Sequence, residues 1–195
     1  MTTAGWIALI VAVVVIVAIV LIAMAATKSR RRRHLREQFG DEYDYTVERS
    51  GKRNAAEREL QQREQRHDSF NLRELDPAEQ AGFRERWEAA QSTFVDSPAA
   101  ALTQADSLVQ VVMSRRGYPM TDFDQRTADL SVEHADVVHD YRQAHDIAET
   151  VSRGTATTEQ MRRAMVLYRS LFASLLGTST AEPMTPGAHE APPRI

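Results

Sequence analysis

Residues 6–36 read WIALIVAVVVIVAIVLIAMAATKSRRRRHLR, and the rest of the chain is interpreted outward from them. Trp6 to Ala26 is a run of 21 residues with no charged or strongly polar side chain. At about 1.5 Å per residue a helix of that length spans about 31 Å, close to the hydrocarbon thickness of a bilayer. Val and Ile are mediocre helix formers in water, but in lipid the backbone must satisfy its own hydrogen bonds, and helix wins. The expectation is a single transmembrane helix over 6–26, with Trp6 at an interface and residues 1–5 as a short extracytoplasmic N-terminus.

Lys28, Arg30, Arg31, Arg32, Arg33 and Arg36 follow at once, with His34 among them. The N-terminal side of the run has no Lys or Arg. The positive-inside rule therefore places the N-terminus outside and everything from Lys28 onward in the cytoplasm of a cell membrane. The six cations are the candidate contacts for anionic lipid headgroups, each contributing about 1 kcal/mol near such a surface. A cleaved signal peptide is the rival reading, since Ala23-Met24-Ala25 has the small-residue pattern of a cleavage site; it would make the protein secreted. The missing basic n-region and the length of the apolar run speak against it.

The formal charge of −3 hides an asymmetry. Residues 1–36 hold six of the 24 basic residues and none of the 27 acidic ones, leaving 18 against 27 beyond, a net −9. An acidic remainder is expected to stand off an anionic membrane and to avoid nucleic acid. With no cysteine, disulfides, thiol catalysis and cysteine-bound metals are excluded.

Beyond the anchor every element reads as helix. The basic juxtamembrane helix continues over 27–39, and Gly40 ends it. Residues 41–68 read as a charged helical spacer: a short helix 41–50, an interruption at Gly51, then KRNAAERELQQREQRH (52–67), in which Leu60 is the one large apolar residue. A helix polar on all sides is a solvated spacer or a weak coiled-coil strand rather than a core element.

Residues 69–177 read as a compact helical bundle. SFNLREL (69–75) is an extended connector. Asp76-Pro77-Ala78-Glu79 is a capping box with Pro at the first position, and Phe83, Trp87, Ala90 and Phe94 follow on one face. Asp96-Ser97-Pro98 restarts a helix to Arg116 with Leu102, Ala105, Val109, Val112 and Met113 in one stripe, closed by Gly117. Asp122 caps a short turn of helix ending at Leu130. A long helix is expected from Ser131 to Arg153, and Thr157 with Gln160 caps the last, striped by Met161, Met165, Tyr168, Phe172 and Leu175. The tail 178–195, with four prolines, reads as disordered.

FGDEYDYTVE (39–48), FVDSPAAALTQAD (94–106), VMSRRGYP (112–119) and ADLSVEHADVVHDYRQAH (128–145) together resemble a group of uncharacterised bacterial proteins. These have one N-terminal hydrophobic segment followed by an α-helical domain. The resemblance covers about residues 35–177 and implies that architecture; it brings no reaction, cofactor or substrate.

Catalytic motifs are sparse. No Walker A, G-x-G-x-x-G or G-x-S-x-G stretch is present. His134, His139 and His145 share one predicted helix at spacings of five and six, not the i, i+4 of a helical zinc site. Asp136 and His139 form one D-x-x-H, where a di-metal bundle needs two such motifs. No catalytic residue, cofactor or metal site is assigned. Arg115, Arg116 and Tyr118 are candidate contacts for an unknown protein partner, Arg and Tyr being enriched at interface hot spots. The favoured reading makes them the C-terminus of a helix, with cations at the negative dipole end and Tyr118 folded back. The expected function is a non-catalytic interaction or scaffold module at the membrane. The alternative is an enzyme or ligand-binding bundle with a pocket near Trp87, Tyr141, His145 and Tyr168.

Overall fold

The computed structural model describes residues 3–177, with side chains from Ile16 onward. Eight helices and no strand are found among them, so the fold is all-α. The predicted tail 178–195 lies outside the described residues. So do residues 1 and 2, and the side chains of 3–15. No helix among the described residues is long and apolar enough to cross a membrane. Positions 6–15 of the expected span are among those whose side chains lie outside the description.

The chain divides into two compact units, residues 1–65 and 66–195. In the first, α1 (Thr3–Phe39) is one unbroken helix that carries the apolar run into the basic stretch. It ends at Gly40, whose φ of +47° is a left-handed value that a side chain would strain. Next come α2 (Asp41–Ser50) and α3 (Arg53–His67), the last two residues of α3 belonging to the second unit. Gly51 takes the left-handed conformation between them, and its N–H donates to Val47 O and Glu48 O.

The sequence reads 52–67 as solvated on every side; the structure buries one face of it. Leu35 and Phe39 of α1, Tyr43 of α2, and Ala56 and Leu60 of α3 are fully enclosed. Burying a side chain of Leu or Phe size contributes about 1.5–3 kcal/mol. The reading failed because the rest of that face is polar: Glu57, Gln61 and Arg63 are buried as well. The charged ends of Glu57 and Arg63 are paired across helices, which lets their stems act as packing material.

In the second unit α4 (Pro77–Asp96) begins with the predicted box. The Asp76 carboxylate accepts from Glu79 N–H at 2.8 Å, and the Glu79 carboxylate accepts from Asp76 N–H. α5 (Pro98–Arg116) is central, packing against α4 and α8 and touching α7. Its expected side-chain cap at Asp96-Ser97 is not made; Pro98 alone marks the start. α6 (Phe123–Leu130) is capped by Asp122. α7 (Ala135–Ser152) starts four residues later than predicted: residues 131–133 form a turn, and His134 at the N-cap makes no side-chain cap. α8 (Thr158–Leu175) has the predicted box at Thr157 and Gln160.

The core of this unit joins Trp87, Leu102, Val109, Met113, Leu130, Tyr141, Tyr168, Leu171 and Phe172. Trp87 and Phe172 stack with centroids 4.8 Å apart. The connector before α4 crosses the end of α5, where Arg73 N–H donates to Arg116 O at 2.9 Å.

Candidate functional site

The six predicted headgroup cations fall into two sets. Lys28, Arg30, Arg31, Arg33 and Arg36 are exposed. Arg32 is half-buried, and its Nε donates a 2.9 Å hydrogen bond to Glu57 Oε1, which also accepts from the Tyr43 hydroxyl at 2.9 Å. Burial pushes the Glu57 carboxyl up, but the hydrogen bonds from Arg32 and Tyr43 outweigh it and hold the group below the usual range. Arg36 lies 3.6 Å from Asp44 and 5.1 Å above the Tyr43 ring. His34 Nε2 is 3.2 Å from Glu64.

Below them sits a buried ionic group. Arg63 donates to Glu42 at 2.7 Å, with only 4% and 1% of the two side chains exposed, and to Glu59 at 2.6 Å. Arg49 also pairs with Glu59. Enclosed ions of this kind persist only when paired and hydrogen-bonded.

In the second unit Arg115, Arg116 and Tyr118 do not form one exposed patch. Tyr118 is 3% exposed, so its ring belongs to the interior and is not presented to a partner. Gly117 makes this possible: its φ is +97°, and its N–H donates back to Ser114 O. The Tyr118 hydroxyl donates to Glu133 at 2.7 Å, and burial, then Glu133, pushes it above the ordinary tyrosine range. Arg115 stays exposed and donates to Glu79 at 2.6 Å, beside Arg73. These two guanidiniums hold the Glu79 carboxyl down to about 2.

Arg116 reaches a cluster that sequence spacing did not reveal. Its guanidinium donates to Leu175 O at 3.3 Å, approaches Glu133 at 3.5 Å and lies 3.2 Å from His134 Nε2. An arginine cannot accept, so Nε2 is the acceptor there and the proton of the neutral ring is on Nδ1. Nδ1–H then donates to Ser174 Oγ at 2.8 Å. Burial first, and the neighbouring Arg116 second, lower the His134 pKa to about 4. The Ser–His contact is thus oriented against catalysis, since a general base would need to accept the Ser174 proton. Forty residues separate the pair, and no local motif signals it.

The other predicted histidines are dispersed. His145 stacks on Phe123 with centroids 3.6 Å apart, and His139 is exposed beside Gln143. Among the described residues no group of three His, Cys, Asp or Glu is placed to hold a metal ion. Around the predicted pocket, Tyr141 and Tyr168 are fully enclosed and meet edge to face. Their hydroxyls are engaged: Arg126 donates to Tyr141 at 3.0 Å, and Tyr168 donates to Asp106 at 2.9 Å.

No protein-family model matches the chain, and neither a curated protein nor a solved structure is significantly similar to it.

Proposed function

We propose that the protein is a single-pass membrane protein anchored through Trp6–Ala26, whose second unit serves as a non-catalytic interaction or scaffold module at the cytoplasmic face. The observation that carries the reading is the continuity of α1. One helix runs from the apolar stretch into Lys28–Arg36 with no turn between them, as a helix leaving a bilayer into a basic juxtamembrane segment does. The charge of each unit is in keeping with it. Residues 1–65 hold 11 Lys and Arg against 8 Asp and Glu, and residues 66–195 hold 13 against 19. The basic unit is next to the anionic lipid and the acidic one is the part offered to a protein partner. The filled centre at Tyr141 and Tyr168, and the catalytically reversed Ser174–His134 contact, favour a partner-binding role over an enzymatic one.

Alkaline extraction of membranes from cells expressing the full chain tests the anchor. The protein is expected to stay in the pellet. Release with the peripheral proteins would contradict the proposal.

A further inference from the structure

The first unit does more than extend the anchor; it divides the basic cluster. Along α1, at about 1.5 Å per residue, Lys28, Arg30 and Arg31 lie about 3–8 Å past Ala26 and Arg33 about 10 Å. The polar layer on each face of a bilayer is roughly 5–7 Å deep. All four are therefore within reach of phosphates, given the length of their side chains. Around the helix, at about 100° per residue, Arg30 and Arg33 point away from the Leu35 and Phe39 side that meets the small core. Arg32 and Arg36, one turn apart, lie on the flank of α1 where Glu57 of α3 and Asp44 of α2 reach them. Tyr43 completes the arrangement, donating to Glu57 and stacking under Arg36.

We propose that Lys28, Arg30, Arg31 and Arg33 form the contact surface for the phosphates of anionic lipid headgroups, that Glu57 withholds Arg32 from it, and that Arg36, exposed but about 15 Å past Ala26 along the helix, lies beyond the polar layer. This rests on the membrane-anchored reading above. The Arg32–Glu57 hydrogen bond ties α1 to α3. A headgroup meeting the surface finds an exposed cation at each of the four positions, whereas at Arg32 it must compete with an internal carboxylate already in hydrogen-bond contact. Glu57 is then a positioning residue for the lipid surface, although it touches no lipid.

The test uses the full-length chain reconstituted in phosphatidylcholine bilayers containing phosphatidylglycerol. The relative association of spin-labelled phosphatidylglycerol and phosphatidylcholine with the protein is read by electron paramagnetic resonance. The native chain is expected to prefer phosphatidylglycerol, and the variant K28Q/R30Q/R31Q/R33Q to lose that preference. Arg32→Gln and Arg36→Gln are expected to keep it. Glu57→Gln, which retains an acceptor for Tyr43, is expected to raise it by releasing Arg32; this variant reads the effect without removing a cation. If Arg32→Gln lowers the preference as much as Arg30→Gln, or Glu57→Gln leaves it unchanged, the division is overturned. A chain that resists alkaline extraction yet shows no preference for phosphatidylglycerol overturns this proposal alone. A chain that is extracted overturns the anchored reading beneath it.

Discussion

The Tyr118 hydroxyl donates a 2.7 Å hydrogen bond to Glu133, tying the end of α5 to the residues that lead into α7. The tie depends on Gly117. A Cβ at that position would come within 2.5 Å of Asn71 O, in a left-handed conformation that side chains rarely adopt. Gly117→Ala is therefore expected to destabilise the second unit by about 2–4 kcal/mol, from strain and overpacking together. Tyr118→Phe keeps the ring and loses one hydrogen bond, at a cost of about 1 kcal/mol. Urea denaturation followed by the fluorescence of Trp87, which stacks on Phe172 in the same unit, measures both.

His134 makes the second unit sensitive to acid. Its folded pKa of about 4 lies below the ordinary 6.5, so the native state binds its proton later than the unfolded state does. The stability this gives is complete above about pH 6.5 and is lost as pH falls toward 4. The shift bounds the effect at about 3 kcal/mol. Denaturation midpoints should fall between pH 7.5 and 4.5 in the native chain and fall less steeply in His134→Gln. Equal slopes would remove His134 as the cause.

In the first unit the Arg63–Glu42 pair is enclosed, so breaking one side costs more than replacing both. Arg63→Met faces the Glu42 carboxylate with a thioether and is expected to destabilise the unit by about 3–5 kcal/mol. Arg63→Met with Glu42→Leu should recover most of that loss, since apolar packing can substitute for a buried ion pair. Hydrogen exchange of the α2 and α3 amides gives the comparison. Similar exchange in the single and double variants would mean that the pair is not the source of stability.

Trp87 and Phe172 join α4 to α8 across the core. Phe172→Ala should cost about 3–5 kcal/mol by opening a cavity. The Trp87 emission should shift to the red as its ring gains water, and an unchanged spectrum would place the ring elsewhere.

Much of the helical pattern was legible because it is encoded locally. The boxes at Asp76/Glu79 and Thr157/Gln160, and the glycines at 40, 51 and 117, sit within a few residues of the turn each one shapes. Of the stripe Met161, Met165, Tyr168, Phe172 and Leu175, all are buried but Met161, which is half-buried at the start of the helix. What escaped reading is pairing across distance. Arg63 with Glu42, Arg32 with Glu57, and His134 with Ser174 are 21, 25 and 40 residues apart. Apolar periodicity gives no weight to a charged residue on a buried face, so by pattern alone α3 reads as a solvated spacer. The fold-back of Tyr118 is legible from Gly117 beside it, while its partner Glu133 is ordinary in sequence and becomes decisive only once α7 is placed. For the basic cluster, composition supplies the six cations, while the fold around Tyr43 and Glu57 engages Arg32 among them.

The central claim is a span over Trp6–Ala26 with the helical units on the cytoplasmic side, and reporter fusions to the C-terminus of the full chain in a bacterial host test it most directly. A green fluorescent protein fusion is expected to be bright and an alkaline phosphatase fusion inactive, because the phosphatase needs the oxidising exterior to form its disulfides. An active phosphatase with a dark fluorescent fusion would place the units outside and contradict the account.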